Sequence, residues 1–224
     1  MPSRHVLSLV VVTLLPLPVS AAETLWTEIV VRVYDTTGVP PDARRAALKI
    51  AASLVSSASI DVVMRTCTGS SKRQPSPASR PDPCNSPLTP SEVALRIVFS
   101  GDAVDDDRST RPLGEALIDT KARTGVLATV YADRVNWMAA RTGVDPDELL
   151  GRAIAHELGH LLMGTSTHGT TGLMRAVWSQ SEMRRGETRD WAFEPQEIAA
   201  IKARTGGRQD TARTNVAALT LSGD

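Results

Sequence analysis

The segment over 153–163 reads AIAHELGHLLM, an apolar stretch that carries two histidines and a glutamate. Three ionisable groups cannot be buried in such surroundings without partners that offset their lost hydration. The flanks define a helix. Asp145 is placed to cap it, Pro146 suits the first helical position, and Asp147 and Glu148 face the positive end of the helix dipole. Leu149, Leu150, Ile154, Leu158, Leu161 and Leu162 supply a broad apolar face, so the spacing predicts a helix that runs to Met163 and stops at Gly164.

His156 and His160 lie one turn apart on the same face of that helix. Two imidazoles so placed can share a zinc ion. Glu157 then points toward an open coordination position, where a carboxylate can take a proton from an activated water. The blander reading is a solvated surface helix that matches HExxH by chance. Histidine usage counts against it: the chain has four histidines, and all but His5 fall between 156 and 168. His168 is the natural third ligand, reached by a turn at Gly164 and the segment Thr165-Ser166-Thr167. A downstream carboxylate, Glu182 or Glu187, is the rival third ligand.

The segment resembles the metzincin clan of zinc peptidases, whose pattern is HExxHxxGxxH followed by a Met-turn. The residues that carry the resemblance are HELGH at 156–160, Gly164, His168 and GLM at 172–174. By that resemblance His156, His160 and His168 are ligands of one catalytic Zn2+, Glu157 is the general base, and Met174 is the Met-turn residue beneath the metal. The implied fold is α/β (α+β): a mixed twisted sheet with packed helices and a small C-terminal subdomain. The match to the matrixin branch is divergent. Met163 and Ser166 stand where that pattern has its glycine and third histidine, so the connection to the third ligand is two residues longer.

Upstream, the chain alternates in a way that agrees with a mixed sheet. Strands are expected over 26–33, 59–66, 93–99, 114–119 and 125–131. A helix is expected over 42–55 and another over 132–142. A helix after the first strand points to a crossover rather than a sandwich. Tyr131, at the end of the last strand, is a candidate oxyanion or cleft residue; packing within the sheet is its plainer role. Asp102, Asp105, Asp106 and Asp107 form an acidic turn that fits no known calcium loop; it reads as solvated, with calcium as the alternative. Trp178, Trp191 and Phe193 either shape a specificity pocket or pack the C-terminal half, and packing is the reading adopted. A closing helix is expected over 194–204, before Gly206. The tail over 207–224 reads as frayed, although VAALTL at 216–221 has the makings of a strand.

The first 22 residues have the form of a signal peptide: Arg4 and His5, the apolar run VLSLVVVTLL, then Ser20-Ala21-Ala22. An uncleaved anchor is the alternative. Export to a secreted or periplasmic location makes Cys67 and Cys84 a disulfide pair, closing a loop rich in proline and serine. Positive and negative residues balance at 25 each and aromatics are 4%, which argues against nucleic-acid binding. No later stretch is long and apolar enough to span a membrane. The expected product is one catalytic domain over 23–206, a monomer acting on peptide or protein substrates. A zinc-stabilised binding or structural protein of the same fold, without turnover, is the alternative.

Overall fold

The computed structural model describes residues 28–67, 82–101 and 111–207. The leader over 1–22, the acidic turn at 102–107 and the tail strand at 216–221 therefore lie outside the described residues. Among the described residues five strands form one sheet: β1 (Glu28–Asp35), β2 (Asp61–Cys67), β3 (Glu92–Val98), β4 (Gly114–Asp119) and β5 (Thr124–Tyr131), in the order β2-β1-β3-β5-β4. β1, β2, β3 and β5 run parallel, and β4 is an antiparallel edge strand on β5. The helices are α1 (Pro41–Ser56), α2 (Ala132–Thr142), α3 (Pro146–Met163), α4 (Gln180–Arg185) and α5 over 195–207. A mixed α/β architecture is therefore established, with α1 as the crossover between β1 and β2.

Strand limits differ from expectation by one or two residues, each for a local reason. Ser59 takes a left-handed φ of 61° in the turn after α1, so β2 starts at Asp61. Tyr34 and Asp35 pair with Arg96 and Ile97 of β3, which extends β1 past Val33. Phe99 leaves the ladder and stands 57% exposed. α5 continues through Gly206, the residue expected to lie beyond its end.

Period-two burial explains the sheet. Ile29, Val31 and Val33 of β1 and Val93, Leu95 and Ile97 of β3 point into one core with Ala47, Ala51 and Val55 of α1. α3 lies between α1 and the β4–β5 pair, and Leu173, Met174, Trp191 and Phe193 add to the same cluster. Every residue from Leu149 to Met163 is consequently buried, so α3 is not a surface helix. A helix enclosed on all sides tolerates the continuous apolar sequence seen here.

On the other face of β1, Arg32 is buried because every approach is taken by an acceptor. Its guanidinium pairs with Glu92, at 3.1 Å through Nε, and donates to the carbonyl oxygens of Ser86 and Pro87 at 2.6 and 3.1 Å. Glu92 also accepts from Arg65 at 3.1 Å, and the Tyr34 hydroxyl donates to the Cys84 carbonyl at 2.9 Å. These bonds hold the segment before β3 against the sheet. Cys67 and Cys84 are joined in a disulfide, with Cα atoms 5.6 Å apart, which ties the end of β2 to the same segment. Replacing both cysteines with serine is expected to lower stability by about 3 kcal/mol on the loop-entropy account. Urea denaturation of the two proteins measures it, and unchanged midpoints would leave the crosslink without a stabilising role.

Candidate metal centre and cleft

The ends of α3 set the site. Asp145 accepts hydrogen bonds from the backbone N–H groups of Asp147 and Glu148 at 2.8 and 3.4 Å, fixing where the helix begins. At its other end Gly164 adopts φ 61°, a left-handed conformation that reverses the chain at once. The reversal turns the Thr165 carbonyl back onto His160, whose Nδ1 lies 2.8 Å away. Further along the loop the Leu173 carbonyl meets His156 Nδ1 at 2.9 Å and also accepts from the Trp178 indole at 3.3 Å.

A carbonyl oxygen can only accept. Both Nδ1 atoms must therefore carry the proton, which leaves each neutral ring with a lone pair on Nε2. Those two Nε2 atoms face one another at 3.1 Å. Burial, together with the neighbouring His160 and His168, lowers the His156 pKa to about 4, outweighing the Leu173 hydrogen bond that raises it. Burial lowers His160 as well. At neutral pH neither ring holds a proton to place between the lone pairs, and two lone pairs at this separation repel unless a cation lies between them. Ligands about 2.0–2.1 Å from one tetrahedral zinc are about 3.3 Å apart, close to the spacing seen.

His168 completes the group. The ligating atoms of His156, His160 and His168 all lie within 4.8 Å of one another, and among the described residues no other such group is found. The longer connection therefore still brings the third histidine into place. Neither rival carboxylate is in the group. Glu182 closes a capping box with Ser179 and pairs with Arg175 at 3.2 Å. Glu187 pairs with Arg185 and Arg189 at 3.0 and 2.8 Å. Three imidazoles, two of them with their outer nitrogens held by carbonyls, fit a zinc ion.

Met174 is fully buried beneath α3. A methyl group at Gly159 would come within 2.5 Å of the Met174 sulfur and 2.8 Å of the Phe193 ring, so this glycine lets the thioether pack directly under the helix. Glu157 opens on the same cleft as the histidines, a cavity of about 520 Å3. Burial first, then the charge of Glu115, pushes its carboxyl up to about 8. The β4 backbone at 114–116 borders the cleft, and Met138, Trp178 and Met183 line it further along. The aromatic residues divide: Trp178 borders the cleft, whereas Trp191 and Phe193 are core. Tyr131 does not line the cleft; its hydroxyl bonds to Glu115, which does, and its ring lies 4.2 Å from the Arg134 guanidinium. The two carbonyl acceptors and the glycine contacts leave no mark in the sequence, because they depend on where the loop and β4 settle.

No family model matches the chain, and no curated protein does. Among solved structures it is similar to an archaemetzincin from Methanopyrus kandleri, at 15% identity and a TM-score of 0.47, over 80% of this chain and 96% of that one. It is also similar to a zinc-dependent peptidase from Methanocorpusculum labreanum (strain Z), at 14% identity and a TM-score of 0.46, over 76% and 99% of the two chains.

The metal-free protein carries a pH signature. Unfolded, Glu157 loses its proton near 4.5; folded, it keeps it to about 8. The folded state then binds the extra proton, so this group's contribution to stability is full below 4.5 and declines as pH rises through about 8. His156 acts in the opposite sense, but only between 6.5 and about 4. From about pH 6.5 to 8 the metal-free protein should lose roughly 1 kcal/mol per pH unit through Glu157. Chemical denaturation of metal-free Glu157→Gln should show a flatter profile; parallel profiles would refute the assignment.

Proposed function

We propose that the chain is an exported zinc-dependent endopeptidase of metzincin type. The observation that carries this reading is the pair of unprotonated Nε2 atoms 3.1 Å apart, with His168 beside them and a carboxylate opening on the same cleft. His156, His160 and His168 would hold the ion, leaving its remaining position toward the cleft. A bound zinc ion would supply Lewis acidity, lowering the pKa of a water and polarising the scissile carbonyl.

The chain's own residues do the rest. Glu157 takes the proton of the attacking water on its carboxylate and returns it to the departing amine. Burial, which keeps this carboxyl neutral without a metal, would make it responsive to a bound cation; beside one it would be ionised and able to act as base. The carbonyls of Leu173 and Thr165 hold the imidazoles in one tautomer, and Met174 closes the floor beneath them. Among the described residues β4 is an edge strand along the cleft, so an extended substrate can pair with its outer side. The Cys67–Cys84 disulfide supports an oxidising location, secreted or periplasmic.

The purified protein should hold about one zinc per chain, measured by elemental analysis without added metal. His168→Ala should lose metal, and Glu182→Ala should keep it. Glu157→Ala should retain zinc and fold while losing roughly 10²- to 10⁴-fold in cleavage of a mixed peptide library. Cleavage that survives Glu157→Ala would sink the role of the base. A folded, zinc-loaded wild type that cuts no peptide would favour the zinc-stabilised binding protein.

A further inference from the structure

Glu157 does not reach the cleft through open space. It passes directly beneath the first residue of β4. Gly114 is buried, and its neighbours in the pleat alternate, so that positions 114, 116 and 118 turn toward α3 while 115 and 117 turn away. A Cβ at position 114 would come within 2.7 Å of Glu157 Cγ and 2.8 Å of Glu157 Oε1, closer than a non-bonded Cβ approaches its neighbours, so one of them would have to shift. It would also come within 2.7 Å of the Thr129 carbonyl on β5. The backbone of Gly114 has no left-handed φ. Alanine there would be favoured by about 0.5–1 kcal/mol on chain entropy alone. The glycine is explained by what occupies the space where a side chain would be.

We propose that Gly114 is a positioning residue for Glu157: the side chain missing from the edge strand is the slot in which the carboxylate lies. Its role rests on the reading of Glu157 as the base, and it deepens that reading. α3 fixes the Cα of Glu157, and the helix packing leaves its long side chain three torsions to settle. The bare backbone of β4 on one side and the helix on the other remove that freedom. The strand that borders the cleft, and that an extended chain would pair with, is then also the strand that aims the carboxylate. Main-chain movement of β4 on binding is transmitted to Glu157 without an intervening side chain.

The test is a double-mutant cycle with Gly114→Ala, Glu157→Ala and the combination, each read twice in the full-length protein. The first readout is thermal unfolding of metal-free protein, which requires no activity. If the carboxylate fills the slot, Gly114→Ala lowers Tm in the wild-type background and by much less in the Glu157→Ala background. Equal losses in both backgrounds would overturn the proposal, since the glycine would then serve the Thr129 carbonyl alone. Should Gly114→Ala fail to fold by itself, folding of the combined variant supports the slot, and failure of both overturns it. The second readout is peptide cleavage by zinc-loaded protein. Gly114→Ala should lose about 10²-fold in kcat, the scale of a small misplacement, with KM and zinc content unchanged. A folded Gly114→Ala protein with wild-type kcat overturns the proposal. A wild type that cleaves nothing overturns the peptidase reading instead, and the thermal cycle still decides where the carboxylate lies.

Discussion

Two imidazole nitrogens held 3.1 Å apart on a helix buried from Leu149 to Met163 impose more on this molecule than any other contact. They can coexist only because each ring gives its one proton to a carbonyl on its outer side. Those carbonyls belong to Thr165 and Leu173, so the course of the loop after α3 is dictated by the chemistry of the histidines. The αL turn at Gly164 supplies the first acceptor within five residues, and the Gly169 N–H to Met174 carbonyl bond at 2.8 Å shapes the second. Desolvation acts on both kinds of group: it suppresses the imidazolium form of His156, which would compete with a cation for the ring, and it suppresses the carboxylate form of Glu157.

Much of this was legible in the residues. α3 was delimited to its termini because each boundary has a chemical marker, Asp145-Pro146 at one end and Gly164 at the other. β4 and α2 also fell where alternation and helical spacing put them. Strand limits slipped where tertiary pairing overrode local pattern, as when β3 recruited Tyr34 and Asp35 into the β1 ladder. The spacing of His168 departs from the metzincin pattern by two residues, and only the folded loop shows that the third imidazole still reaches the other two.

What the sequence withheld is of one kind. Gly114, Gly159 and the carbonyl acceptors act through the absence of a side chain or through the main chain, and neither has a residue-type signature. Trp178 and Trp191 show the same limit from the other side: two identical residues thirteen positions apart, one bordering the cleft and one stacked 3.8 Å from the buried Arg152 guanidinium. Composition identifies both as large and apolar, but topology decides which meets the cleft.

β4 brings a liability with its usefulness. Among the described residues β4 has no strand on its outer side; such an edge beside a cleft invites any extended chain, including the same edge of another copy, and edge-to-edge addition is how sheets aggregate. This strand is only six residues long, and its register shifts between Leu117 and Ile118, so a flat partner cannot follow it far. Leu117, 68% exposed, is flanked at alternate positions by Glu115 and Asp119. Two such edges brought together would set carboxylates of like charge near one another, whereas a single visiting peptide meets them singly. The pattern along β4 thus opposes pairing with a second copy of this chain by electrostatics.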